Sequence, residues 1–211
     1  MHIPIVFAIS CYMATFALSA PLPERRALVE GPEFQEIVQK CKLLTEKILL
    51  SIPETHKSCI KIETLQLNST DNTRFEVLRS EIGIPSAPHI KAPSENVTLE
   101  DSLRQLYEGL QLYRALLGSL GNYHRLANKD RVTGLMADVK DLAIQIKEML
   151  KIVLPQGSPH PTKPSVSLNL PAEYEFQVAA HLTLVDLQSY IQDLVRFLRT
   201  LDRSTEMDTE S

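Results

Sequence analysis

Cysteine is scarce in this chain, with three in 211 residues. Cys11 falls in the opening apolar run, so the remainder holds only Cys41 and Cys59. Two thiols exclude a disulfide-dense scaffold and leave stability to a packed core. Glycine is also sparse, at seven residues, and none of them builds a phosphate-cradling loop or a nucleophile elbow. The histidines (His2, His56, His89, His124, His160 and His181) are scattered, and none forms an i, i+4 pair of metal-ligand spacing. Excess charge is small, a net −4, and the concentrated basic surface that phosphate binding needs is missing. Long apolar runs are confined to Ile3–Leu18; no later stretch approaches the length of a membrane span. These absences point away from an enzyme, a metal or cofactor protein, a nucleic-acid binder and membrane insertion of the mature chain.

The apolar run is itself informative. It is short, sits at the extreme N-terminus and ends in small residues, the pattern of a secretion signal rather than a spanning helix. Ala17 and Ser19 place small residues at −3 and −1 for cleavage after Ser19, with cleavage after Ala20 as the alternative. Residues 1–19 are therefore expected to leave, and about 190 remain, enough for one domain with a substantial core. Secretion gives meaning to Asn68-Ser69-Thr70 and Asn96-Val97-Thr98, which are glycosylation acceptors. It also bears on Cys41 and Cys59. They either pair, closing a loop of about 19 residues worth roughly 3 kcal/mol in the chain-entropy model, or stay apart, with Cys41 buried in a helix and Cys59 free or bridged to another molecule.

Proline is placed as punctuation. Four proline-free segments carry apolar residues at three- and four-residue steps, the pattern of helices with one buried stripe. Helix A is expected over about Glu33–Ile52 (Phe34, Ile37, Cys41, Leu44, Ile48, Ile52), stopped by Pro53. Helix B is expected over about Leu99–Gly121, capped by Thr98, with Leu103, Leu106, Leu110, Tyr113, Leu117 and Leu120 inward. Helix C spans about Asp130–Leu154 (Leu135, Val139, Leu142, Ile146, Met149), and helix D about Ala172–Leu201 (Phe176 to Leu201), before a flexible tail at 203–211. Gly109 and Gly118 inside helix B predict close packing of neighbours. A short helix near Thr73–Ile82 is expected in the first connection.

Connection lengths set the topology. The B–C link of about eight residues forces antiparallel neighbours. The A–B and C–D links, about 45 and nearly 20 residues, are long enough to return along a helix of about 30 Å. Two such crossings give an all-α, four-helix, up-up-down-down bundle, the long-chain cytokine arrangement.

Three passages then carry a resemblance: Ile82-Gly83-Ile84-Pro85-Ser86-Ala87-Pro88, Gln105-Leu106-Tyr107-Glu108-Gly109-Leu110-Gln111-Leu112-Tyr113, and Leu187-Gln188-Ser189-Tyr190 with Arg196-Phe197-Leu198-Arg199. In order and spacing, from about Phe34 to Leu201, the chain resembles the granulocyte colony-stimulating factor family. The resemblance implies a secreted growth factor, monomeric when free. It further implies a class I receptor, of the granulocyte colony-stimulating factor receptor type, bound through two surfaces as two ligands with two receptors. The expected outcome is proliferation, differentiation and survival of granulocyte-lineage cells in the immune response. The family's second small disulfide would fall at Ala92 and Ser102 and is therefore missing, and Cys41 matches a cysteine that is typically free.

The first surface would combine helices A and C. Asp138 and Asp141 match the family's acidic pair, and Gln145 and Glu148 continue their edge of helix C. Lys40, Leu43, Lys47 and Leu50 lie away from helix A's stripe, and an apolar pair on a charged face is the more informative feature. The second surface would take Glu76, in the short helix, and Phe176, at the start of helix D. Phe176 also falls on helix D's stripe, where packing competes with recognition. Two alternatives stay open: a related long-chain helical cytokine with a different receptor, and a secreted amphipathic-helix lipid-binding protein.

Overall fold

The computed structural model describes residues 27–68, 75–91, 97–124, 126, 129–154 and 164–206. The expected signal segment, Ala92 and Asn96 lie outside the described residues, as does all of the expected tail beyond 206. The elements are α1 (Pro32–Cys59), α2 (Glu76–Ile82), α3 (Leu99–Gly121), α4 (Lys129–Val153) and α5 (Glu173–Glu206). The fold is the expected all-α bundle. Helices A to D correspond to α1, α3, α4 and α5.

Directions follow from contacts. The start of α1 meets the end of α5 through Lys42 and Asp202, and its end meets the start of α5 through His56 and His181. Lys47 of α1 reaches Asp138 in α4, while Lys40 lies by Gln145. Tyr123, just past α3, stacks on Phe176 near the start of α5. Thus α1 and α3 each run antiparallel to both α4 and α5, giving up-up-down-down order. The extensive pairings are α1 with α4 and α5, and α3 with the same two.

Local chemistry sets the helix limits. Thr98 Oγ1 accepts from Asp101 N at 3.1 Å while Asp101 Oδ2 accepts from Thr98 N at 3.3 Å, a reciprocal cap that starts α3. Gly83, at φ 82°, ends α2 in the left-handed conformation, and its N–H and that of Ile84 both reach Arg79 O. The two crossovers touch: Asn169 N donates to Ile82 O at 2.9 Å. Ser102 Oγ donates to Lys91 O at 2.7 Å, a tether where the resemblance would have placed a disulfide.

Two expectations are corrected. Pro53 does not stop helix A; α1 continues through it to Cys59, burying Thr55, His56 and Cys59. Proline costs one i→i−4 hydrogen bond, but the extra turns pack against α5, and Gln177 Oε1 accepts from both Lys61 N and Ile62 N at the helix exit. The same continuity separates the cysteines. Both thiols are unpaired and buried. Eighteen positions along one helix separate them by about 27 Å, far beyond the reach of a disulfide. Burial also pushes the Cys41 thiol up to about 12 and raises that of Cys59, so both stay protonated at neutral pH. At the other end, α5 runs to Glu206, past the expected limit near Leu201.

The predicted stripes form one core. Their members from Phe34 to Leu201 are buried, except that Leu44 is half-covered at its edge, as are Leu99 and Val153 at the ends of α3 and α4. The start of α5 goes further: every residue from Phe176 to Leu184 is buried. Phe75 and Ile82 from the first crossover belong to the same core, which accounts for a helix covered on more than one face.

Candidate functional site

On the face shared by α1 and α4, the periodicity that buries Cys41, Thr45 and Ile48 turns Leu43, Lys47 and Leu50 outward. Leu43 is 67% exposed and Leu50 77%. Across the seam Ile144 is also exposed, and Lys40, Leu43, Leu44, Asp141, Ile144 and Gln145 line a shallow cleft of about 400 Å³. The expected residues Lys40, Leu43, Lys47, Asp138 and Asp141 are therefore brought onto one surface.

Their roles differ within it. Lys47 Nζ lies 2.6 Å from Asp138 Oδ1, yet the Asp138 side chain is only 12% exposed against 63% for Lys47. Asp138 is thus turned inward, and the surface presents the ammonium it holds rather than its own carboxylate. The hydrogen bond and charge of Asp138, with a smaller contribution from Asp141, push the Lys47 ammonium above its ordinary range. Asp141 remains an exposed carboxylate. Lys40 pairs with Glu36 one turn earlier at 2.7 Å, and that pairing lowers the Glu36 carboxyl. Glu148 pairs with Lys151 on α4. What results is an apolar pair across the seam, Leu43 and Ile144, flanked by charges of both signs, with Leu50 exposed two turns further along α1. Sequence reasoning missed Ile144; its signal is a β-branched residue off the α4 stripe, three positions after Asp141.

The second expected surface is only partly assembled. Glu76 is exposed at the first residue of α2, 3.6 Å from Arg79 Nε. Arg79 in turn forks onto both carboxylate oxygens of Asp186 in α5, at 2.7 and 3.2 Å, fixing α2 on the bundle. Phe176 is corrected: it is 3% exposed and stacks on Tyr123 at 4.2 Å between ring centres. It packs in the core rather than lying open on the surface. The exposed aromatic at that end is Tyr174, and the exposed apolar neighbour of Glu76 is Val77.

Asn68 is exposed in a turn. The scattered histidines conceal a pair, His56 and His181, whose ring nitrogens lie 3.0 Å apart inside the bundle. Among the described residues no group of three or more His, Cys, Asp or Glu side chains is placed to hold a metal ion, and no helix is long and apolar enough to cross a membrane.

No family model matches the chain. Over 126 residues it is 35% identical to granulocyte colony-stimulating factor of the cat, Felis catus. The similarity is distant. It covers 58% of this chain and 62% of that protein, so the chain matches less than two-thirds of its relative's length.

Proposed function

We propose that this chain is a secreted signalling ligand of the long-chain helical cytokine kind. It binds a class I cytokine receptor of the granulocyte colony-stimulating factor receptor type and promotes proliferation, differentiation and survival of granulocyte-lineage cells. The observation that carries this reading is the exposed pair Leu43 and Ile144 lining one cleft beside Lys40 and Asp141, with Leu50 exposed two turns further along α1. Apolar residues held in the open at the centre of a charged surface are the composition of a protein-binding patch, with a dry centre and a polar rim. The similarity to the feline factor supports the choice of receptor class. Glu76 with Val77, and Tyr174 at the start of α5, are the candidates for a second contact, needed if two ligands are to join two receptors. Asn68 and Asn96 carry glycans in this reading, and removal of N-glycans should raise gel mobility in two steps.

The test is light scattering after size exclusion of the secreted chain mixed with the receptor ectodomain from the same organism. A complex holding two of each supports two working surfaces, and Asp141→Lys with Leu43→Asp should break it. Absence of any complex at micromolar concentration would overturn the receptor assignment.

A further inference from the structure

The edge that α4 shares with α3 differs in chemistry from the edge it shares with α1. Asp138 and Asp141 lie toward α1. On the α3 side stand Lys129, Lys140 and Lys147, all exposed. Their spacing along the helix brings them within about 20° of one another around its axis. The two helices pack in antiparallel register: a Cβ on Gly118 would meet Met136 Sδ at 3.6 Å, and one on Gly121 would meet Val132 Cγ1 at 3.7 Å. One turn further along each helix, Arg114 of α3 therefore comes level with Lys140 of α4.

Arg114 lines a cleft of about 280 Å³ together with Gln111, Gly118, Ser119, Asn122 and Met136. It is half-buried, yet no carboxylate or carbonyl among the described residues holds its guanidinium. Arg79 and Arg104, which are half-buried too, lie on Asp186 and Glu100. Lys129, Lys140 and Lys147 likewise meet no carboxylate among the described residues, whereas the next lysine of α4, Lys151, is paired with Glu148. One seam thus gathers four cations without counter-charges in a chain whose net charge is −4. Scattered from 114 to 147, they form no basic run in the sequence; the packing of α3 on α4 assembles them.

From Lys129 to Lys147 the row is about 27 Å long, with intervals of about 16 and 10 Å. At its middle, the Arg114 fork suits two oxygens of one oxyanion, and the side-chain amides of Gln111 and Asn122 can donate to others. A row of cations beside a polar cleft fits a long polyanion lying along the seam. A bilayer surface would instead call for a broad apolar face beneath the charges. We propose that the α3–α4 seam binds a linear sulfated polysaccharide, with a sulfate in the Arg114 cleft and Lys129, Lys140 and Lys147 along the chain. The proposal rests on secretion of the protein but not on its receptor. The receptor reading uses the α1–α4 face, so each can fail without the other.

The experiment is surface plasmon resonance on immobilised heparin, with chemically desulfated heparin and phosphatidylserine-containing vesicles as comparison surfaces. Binding to heparin should be at least tenfold tighter than to either. Release of about four counterions implies a loss on the order of 100-fold in affinity between roughly 50 and 200 mM salt. Arg114→Gln with Lys140→Gln should weaken binding at least tenfold and about halve that salt slope. Lys57→Gln with Arg199→Gln, which removes the same charge from α1 and α5, should change affinity less than twofold. Equal losses in the two double variants, binding no tighter than to desulfated heparin, or equal affinity for the vesicles would each overturn the proposal. Should the seam variant fail to fold, acetylation of the unaltered protein decides. Heparin should then shield Lys129, Lys140 and Lys147 more than Lys57, and uniform shielding would equally overturn it.

Discussion

Replacing Gly109 by alanine tests how tightly α3 and α5 are joined. A Cβ there would stand 2.1 Å from Tyr190 Oη, 2.3 Å from Cζ and 2.8 Å from Cε2. Carbon contacts are comfortable only from about 3.5 Å, so the ring must retreat by more than its surroundings allow. Tyr113 lies against it at 5.1 Å, and the Tyr190 hydroxyl donates toward Gln105 O and Leu106 O, both at 3.1 Å. Losing that buried bond costs about 1–3 kcal/mol, and the forced repacking about 1–3 kcal/mol more. Against this stands a gain of roughly 1 kcal/mol in helix propensity. The net loss should centre near 3 kcal/mol, lowering Tm by about 6–12 °C in a domain of this size. Urea and thermal unfolding followed by circular dichroism measure it. In a Tyr190→Ala background the same substitution should instead stabilise by about 1 kcal/mol, because only propensity remains. A Gly109→Ala protein as stable as the parent would refute the close approach of the two helices.

Three other outcomes are expected. Leu43→Ser with Leu50→Ser should leave unfolding within about 0.5 kcal/mol of the parent while lowering receptor affinity at least tenfold in surface plasmon resonance. Phe176→Ala should do the reverse, costing about 3–5 kcal/mol of stability with receptor affinity of the folded protein unchanged. Chemical denaturation across pH should show His56 at work. Its folded value, about 4, lies below the unfolded 6.5, so the unfolded chain takes the proton first. The contribution is complete above pH 6.5 and declines as pH falls toward 4, with about 2 kcal/mol lost by pH 5. A profile flat for this group, judged against His56→Gln, would count against the burial assigned to it.

The four long helices were legible because each carries a stripe whose period needs no knowledge of its neighbours, and the connection lengths then left one topology. Pro53 misled because the rule for proline is local, whereas the turns after it are held by Gln177 and His181, more than a hundred residues away. Burial from Phe176 to Leu184 was hidden likewise: no single-helix period reports that the crossover bearing Phe75 and Ile82 also covers α5. Of the surface residues, Leu43 and Leu50 announced themselves by being apolar off the stripe. Asp138 did not reveal its inward turn, since a carboxylate one position before Val139 looks the same in sequence whether solvent or Lys47 receives it. The His56–His181 contact joins residues separated by 125 positions, and no spacing rule spans that gap.

The separation of Cys41 and Cys59 along one helix bears on how the protein can be made and judged. The described fold needs no covalent closure between them, so a chain kept reduced throughout refolding should reach the same native state. A bond between these two sulfurs requires α1 to be broken, which makes that product a chemical stamp of misfolding. Non-reducing electrophoresis after mild oxidation can therefore serve as a quality assay. Native molecules should migrate as before, and any compact, internally bridged species counts the fraction that lost its first helix.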